Sequence, residues 1–580
     1  MLQFFKYTLA TVVGLFLFGI LSVFILIGIA SSMGKKSAVD VKAKTVLVLD
    51  FKGEVLERAA DNPFAKLQGN DNTAIGLNQL LENIKKAKDD ANISGIMLDL
   101  SNVMAGAATK DEIRSALKDF QTSGKFIYSK ADYYYNGNYY LASLSDKIFL
   151  TPTGEMLFNG TAAQPMFYKG MLDKIGVDIQ VIRHGKFKGA VEPFIKEHLS
   201  EENKLQIRKY KEAVYSNFMN YVAADRKIAI DVLYSIADQM KVRSPEDAKN
   251  LKLVDELAYT DEIEKAVREK LGIGEKEKIN YLNISQYKNA PGKKKDGNYD
   301  SKIAVVYAQG EIQDGEGDDL TIGGDRLAET IRKARNDDKI KAIVLRINSP
   351  GGSALASDII WREVKLASEK KPVIVSMGDV AASGGYYIAA PATFIFAEPS
   401  TITGSIGVFG LFPNMQKLYN EKLGLTVDTV KIGQYSDLGN VARPFTEDEK
   451  AILQSFIERT YDNFIGRVAD GRHKNKADID SIAQGRVWAA SDALNLGLVD
   501  KIGSLQDAIK LAAERANITS YRITEMPTLK DPLKEFIKNF GGDASVKAAI
   551  KNELGDQYSF YEQMRAMQHK QGIRMELMWW

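Results

Sequence analysis

Ser383 follows an apolar run in DVAASGGYYIAA, residues 379–390, and is itself followed by Gly384 and Gly385. The residues before it read as a strand ending at Gly378, and those after it as an apolar helix. A serine at such a junction points its hydroxyl away from the sheet, and the next backbone N–H groups lie at a helix start, where they lack intrahelical partners and favour an anion. A serine nucleophile beside half of an oxyanion hole needs this arrangement. The same residues also fit a capping serine in a glycine-rich turn. A second strand runs into INSPGGSALASD, residues 347–358, whose Pro350-Gly351-Gly352 turn offers further N–H donors or is an ordinary tight turn.

The nucleophile needs a base, and composition narrows the choice. The 580 residues include no cysteine and four histidines, His184, His198, His473 and His569, none in a strongly patterned context. Disulfides, thiolate metal sites, iron–sulfur clusters and cysteine nucleophiles are thereby excluded, and a three-histidine zinc site would consume most of the supply. Lys188, in RHGKFKGAVEPF, is the alternative: a lysine held neutral by burial can accept a serine proton, whereas one more solvated lysine cannot. Lys+Arg 77 against Asp+Glu 75 leaves a net charge of +2, so nucleic acid is not an expected partner. There is no G-x-x-x-x-G-K-[ST] phosphate loop and no H-E-x-x-H helix, so neither a nucleotide nor a metal cofactor is expected.

The elements that carry these residues occur twice. Short β-branched runs alternate with helical stretches, as in KAIVLRI, SALASDIIWREVKLASEK and PVIVSMG, the pattern of parallel α/β units. NAPGKKKDGNYD, residues 289–300, has the Pro, Gly and Lys content of a linker. Across it the two halves match. Gly53-Glu54 corresponds to Gly310-Glu311, NIKKAKDDANISGIMLDL to TIRKARNDDKIKAIVLRI, and Tyr139-Tyr140-Leu141-Ala142 to Tyr386-Tyr387-Ile388-Ala389. IGVDIQVIRHGKFKGAVEPF likewise corresponds to LGLTVDTVKIGQYSDLGNVARPF. The first half has Asn136 for Ser383 and Met104-Ala105 for Gly351-Gly352, while the second has Ser436 for Lys188. One half keeps the serine and the other the lysine.

Residues 46 to about 525 resemble the long form of the signal peptide peptidase A family, also called protease IV, within the Clp protease and crotonase superfamily. The resemblance rests on INSPGG at 347–352, AASGGYYIA at 381–389, TGSIGVFG at 403–410 and FKGAVEPF at 187–194. It implies an α/β fold of tandem Clp protease/crotonase-like domains behind an N-terminal transmembrane helix, with a Ser-Lys dyad of Ser383 as nucleophile and Lys188 as general base. It also implies an oxyanion hole from backbone N–H groups of the Pro-Gly-Gly turn, Gly351 and Gly352, and of Gly384, with Ser405 holding the lysine. As a bare residue, Ser405 reads as a turn or strand-end serine. The implied substrates are signal-peptide remnants and other unfolded peptides. The implied assembly is a homotetramer that needs no ATPase partner.

Expected domain limits are an anchor at 1–44, a lysine-supplying domain at 45–290, a linker at 291–300, a serine-supplying domain at 301–530 and a tail at 531–580. Residues 7–33 carry no charge and are long enough to cross a bilayer, longer than the apolar core of a cleaved secretory signal. Lys6 precedes the span, and Lys35, Lys36, Lys42 and Lys44 follow it, a distribution that favours a cytoplasmic body. The resemblance implies the opposite: a single-pass protein of the bacterial inner membrane with its catalytic body on the extracytoplasmic, periplasmic side. For the tail, helical patterning and the terminal MELMWW suggest packing ahead of oligomer or membrane-surface contact. Two other function classes fit a duplicated α/β chain. One is a crotonase-like acyl-CoA enzyme, which predicts an acidic catalytic residue near the turns; the other is a non-catalytic membrane scaffold.

Overall fold

The computed structural model describes residues 2–33, 39–51, 53–60, 74–291, 300–530 and 573–576. Most of the expected linker, and the tail apart from 573–576, with the helical patterning expected there, lie outside the described residues. Helix α1, Leu2–Met33, contains an apolar window, Gln3–Leu21, long enough to cross a membrane and not buried against the rest of the protein.

In the first half, strands β1 (Thr45–Asp50), β2 (Ile93–Asp99), β3 (Phe126–Tyr135) and β4 (Lys147–Leu157) form a parallel sheet. The next strand, β5 (Asp178–His184), leaves it, while β6 (Glu256–Leu257) and β7 (Tyr281–Asn283) complete the order β6-β4-β3-β2-β1-β7. In the second half, β8 (Lys302–Gln309) is followed by two short strands, β9 (Ile312–Gln313) and β10 (Ile322–Gly323), and then by β11 (Ile340–Ser349), β12 (Gly351–Ser353) and β13 (Val373–Ala382). Next come β14 (Phe394–Ala397), β15 (Ile402–Gly404), β16 (Val408–Asn414), β17 (Val487–Ala489), β18 (Lys501–Ile502) and β19 (Arg522–Met526). Its main sheet runs β17-β15-β13-β11-β8-β19, with β14 beside β13 and β18 beside β14. The strands at its centre, IAVVY in β8 and IVLRI in β11, are apolar runs buried almost throughout, as expected where helices cover both faces of a parallel sheet.

The helices repeat as well. In the first half they include α2 (Leu77–Asp89), α3 (Ala107–Gln121), α4 (Asn136–Ala142) and α5 (Glu201–Arg226). Their counterparts in the second are α6 (Gly324–Asn336), α7 (Ala354–Ser368), α8 (Gly384–Ala389) and α9 (Glu447–Arg472). The matched tyrosines show why the motif recurs. Tyr139 and Tyr386 are both fully buried, and each donates its hydroxyl to a backbone carbonyl, of Leu253 at 2.6 Å and of Leu498 at 2.8 Å. The ring contributes apolar burial of about 2 kcal/mol, and the carbonyl satisfies the one polar atom that goes in with it.

Three devices join the halves. Strand β5 of the first half pairs antiparallel with β16 of the second, from His184 opposite Val408 to Asp178 opposite Asn414. Together with strand β20 (Ile573–Glu576) they build a third sheet, ordered β10-β9-β12-β20-β16-β5. Asp379, four residues before Ser383, accepts from Thr109 N at 3.0 Å and from Thr109 Oγ1 at 2.5 Å, so a carboxylate of one half caps helix α3 of the other. Finally, Arg346 on β11 is fully buried and bridges Glu57 (Nε to Oε2, 2.8 Å) and Glu112 (Nη2 to Oε1, 2.5 Å), both from the first half. Burial and the neighbouring Glu57 charge push the Glu112 carboxyl upward, against the pull of Arg346.

Candidate active site

The strand before the serine is longer than its sequence suggests: β13 does not stop at Gly378 but continues to Ala382. The extension is held because Val380, Ala381 and Ala382 pair with Ile402, Thr403 and Gly404 of β15, and Asn348 Oδ1 accepts from Val380 N at 3.2 Å. At Ser383 the chain turns sharply, with φ 56° and ψ −117°, and α8 begins at Gly384. Ser383 N donates to Gly404 O at 2.8 Å, which fixes the turn to β15.

Lys188 arrives from the other half. After β5 the chain makes a turn in which Phe187 N donates to Gln484 O at 3.0 Å. Gln206 on α5 clamps the same point from below: its Nε2 donates to Phe187 O at 3.0 Å while its Oε1 accepts from Val487 N of β17 at 2.9 Å. The lysine is 1% exposed, and its Nζ donates to Ser383 Oγ at 2.7 Å, to Ser405 Oγ at 3.1 Å and to Ser405 O at 3.2 Å. Ser405 follows β15 with φ 50° and donates its own N–H to Arg486 O at 2.7 Å. Thus two halves, nearly 200 positions apart in the chain, meet at one buried hydrogen bond.

The glycine turns adjoin one another. Gly351 has φ 97°, open to glycine and costly for other residues, and its N–H donates to Ser349 Oγ at 3.2 Å. A Cβ built on Gly351 would stand 2.6 Å from Gly384 N, and one on Gly384 would stand 3.2 Å from Gly351 Cα, so side chains at either position would block the approach of the two turns. Gly352 lies beside them in β12, against Ile312. The structure therefore brings Ser383, Lys188, Ser405, Gly351, Gly352 and Gly384 into one cluster.

Two supporting features were not read from sequence. Gly485, at φ 77°, passes so close to Lys188 that a Cβ there would lie 2.7 Å from the lysine N and Cβ; Gln206 reaches across from α5. The signal for Gly485 was the QGRVW segment, whose glycine marks a turn without saying what it turns against; Gln206 had none. The matching positions in the repeat do not form a second site. Asn136 Nδ2 donates to Asn159 O at 2.7 Å, and Ser436 is exposed and donates to Gly433 O at 3.0 Å. His184 makes its contacts with other groups: it stacks on Tyr461 at 3.7 Å and bonds to Glu458 at 2.6 Å.

A hydroxyl within reach of a buried amine, beside glycine turns that start a helix, is the form of a serine hydrolase. Comparison with known proteins makes the class definite. The pattern of Peptidase family S49 matches residues 119–274 and 365–519, once in each half. "Protease 4" of Salmonella typhi is 37% identical over 89% of this chain and 86% of its own. "Protease 4" of Haemophilus influenzae is 38% identical over 75% of this chain and 72% of its own, and the chloroplastic "Serine protease SPPA" of Arabidopsis thaliana is 35% identical over 85% and 72%. A solved ClpP1 mutant from Listeria monocytogenes matches 35% of this chain and 94% of its own at 18% identity and a TM-score of 0.24, too loose a superposition to bear on the site. The chain belongs to peptidase family S49, as two tandem copies of its α/β unit, and is a serine peptidase.

Proposed function

We propose that this is a membrane-anchored endopeptidase with a Ser383–Lys188 dyad, which degrades cleaved signal peptides and other unfolded peptides at the extracytoplasmic face of the bacterial inner membrane. The observation that carries it is the 2.7 Å hydrogen bond between two fully buried groups, Lys188 Nζ and Ser383 Oγ. Removal from water favours the amine over the ammonium. Lys188 then takes the Ser383 proton as Oγ attacks a peptide carbonyl. The oxyanion forms against the N–H groups of the glycine turns, and Lys188 returns the proton to the leaving amine. Water, activated by the same amine, hydrolyses the ester. Ser405 keeps Nζ aimed at Oγ throughout.

The substrate reading follows from the anchor and the form of the site. β12 and β16, the strands beside the site, can pair an extended chain between them as they pair β20, and α1 would keep the enzyme where membrane-inserted peptides are released. The assembly reading, a homotetramer, draws support from the repeat. β5 spans 178–184 and reaches onto the other half; its counterpart, residues 426–432, forms no strand, and Val430 and Ile432 are 96% and 95% exposed. Placed as β5 is placed, that segment would pair with residues 158–168 of a second copy, a head-to-tail contact that forms a ring where its rotation closes. Hydrolysis of a synthetic signal peptide by the wild type, Ser383→Ala and Lys188→Ala proteins tests the dyad, with turnover expected in the wild type alone. A reporter enzyme fused after residue 580 tests the side of the membrane: extracytoplasmic activity is expected, and cytoplasmic activity would refute the orientation.

A further inference from the structure

Lys188 is gripped along its backbone as well as at its amine. Gln484 O accepts from Phe187 N at 3.0 Å, just ahead of the lysine, and Gly485 passes so close that a Cβ on it would meet the lysine N, Cα and Cβ. On its other side the same segment reaches the loop after β15: Gly485 N donates to Ile406 O at 2.8 Å, and Arg486 O accepts from Ser405 N at 2.7 Å. Residues 484–486 therefore clip the turn that carries Lys188 to the turn that carries Ser405. They set where Nζ meets the Ser405 hydroxyl and carbonyl.

The clip is strained, and a tyrosine hydroxyl holds it. Gln484 stands at φ 54° and Gly485 at φ 77°, two successive residues in the left-handed region that disfavours all but glycine. Tyr461, near the middle of α9, is buried, and its Oη accepts from Gln484 N at 3.2 Å and from Gln484 Nε2 at 3.3 Å. The hydroxyl donates to Asp480 Oδ1 at 2.5 Å on helix α10 (Lys476–Ile482), and Gln484 Nε2 donates to the same oxygen at 2.7 Å. The one donor and both acceptor sites of the hydroxyl are in use. Its ring stacks on His184, the last residue of the strand that delivers Lys188.

The repeat supplies a comparison. Counting from the caps Ser200 and Thr446, the counterpart of Tyr461 is Tyr215, whose hydroxyl donates to Asn159 O at 3.2 Å. Counting back from Val242 and Val487, the counterparts of Gln484 and Gly485 are Gln239 and Met240. Met240 keeps a positive φ, 47°, but is exposed. The left-handed turn is thus common to both copies, while the glycine and the tyrosine link occur where a lysine is lodged.

We infer that Tyr461 is a positioning residue for the general base: its hydroxyl fixes the 484–486 clip, and the clip holds Lys188 against Ser405 with its amine on Ser383 Oγ. The inference rests on the proposed Ser383–Lys188 dyad and extends it to a side chain outside the reacting groups.

Tyr461→Phe keeps the ring and removes the hydroxyl. Fluorophosphonate labelling of Ser383 is followed in wild type, Tyr461→Phe, Lys188→Met and the double variant. Tyr461→Phe is expected to label about tenfold more slowly than wild type, with kcat on a peptide falling in step and KM within about twofold. In the Lys188→Met background the same exchange is expected to change the rate by less than about twofold, because no amine is left to position. Asp480→Ala removes the oxygen shared by Tyr461 and Gln484 and is expected to slow labelling too; Asp480→Asn keeps an acceptor there and is expected to restore most of the rate. Labelling of Tyr461→Phe at the wild-type rate, equal slowing in both backgrounds, or an Asp480→Asn as slow as Asp480→Ala overturns the inference, and slow labelling of Lys188→Met then leaves the dyad in place. Lys188→Met labelled at the wild-type rate overturns the dyad and the inference together.

Discussion

At Ser383 the backbone holds a positive φ that costs a non-glycine residue on the order of 1–3 kcal/mol, and it persists because β15 and α8 grip it from both sides. The strain turns the hydroxyl toward Lys188. Ser405 acts one step further out, giving Lys188 Nζ both a hydroxyl and a carbonyl contact. Ser405→Ala removes the hydroxyl and keeps the carbonyl, so kcat is expected to fall about tenfold with KM unchanged, the size of one hydrogen bond. Steady-state kinetics on a peptide substrate separate this from a structural defect, which would move thermal stability as well. Ser383 and Lys188 were legible in the sequence because each sits in a motif that its repeat partner has lost. Gly485 and Gln206 were not, because each matters only through what it touches across the seam, and a lone Gly or Gln carries no trace of a partner in the other half.

Among the elements, α3 and β13 carry the joint on which the site depends. Beside the Asp379–Thr109 cap, Asp111 on α3 is buried, accepts from Tyr140 Oη at 2.7 Å and from Ser400 N at 3.0 Å, and has its carboxyl pushed up to about 6, chiefly by burial with the Asp379 charge adding. A raised carboxyl binds its proton more tightly folded than unfolded. Its contribution to stability is therefore complete below the unfolded value of 3.8 and is lost as pH rises through about 6. The effect is at most about 3 kcal/mol. Asp111→Asn can accept from Ser400 N at its amide oxygen and donate its amide N–H to Tyr140 Oη, without the charge, so the fall in thermal midpoint between pH 5 and pH 7.5 is expected to shrink in the variant. A fall as steep as in the wild type would assign the pH dependence to other groups. The alternation of strands and helices was readable from apolar runs, as for β8 and β11. The end of β13 was misread because Gly378 looks like a terminus, and only pairing with β15 carries the strand past it.

On the scale of the whole molecule, duplication explains both the shared site and the unused surface. The first copy lends its β5 and Lys188 to the second; the second copy's equivalent segment has nothing in its own chain to pair with among the described residues, and its apolar side chains face outward. Ring closure would bury them. Val430→Asp with Ile432→Asp is expected to convert the proposed tetramer to smaller species in detergent, as read by light scattering, while the fold of each chain survives, since neither side chain is buried within it. Unchanged mass would place the contact elsewhere. No copy number could be counted from the sequence, because an exposed apolar segment looks the same as a buried strand until its neighbours are known.

The proposed pairing of Ser383 with a base from the other half is tested most directly by the rate at which a fluorophosphonate labels Ser383, located by peptide mass mapping, in the wild type and in Lys188→Met. Methionine keeps the length and apolar stem of the lysine and removes the amine. Labelling is expected to slow by about a hundredfold or more, the usual share of a general base, with Ser383 as the modified residue in the wild type. Labelling of Lys188→Met at the wild-type rate, or a label on any other serine, would contradict a dyad built from two halves.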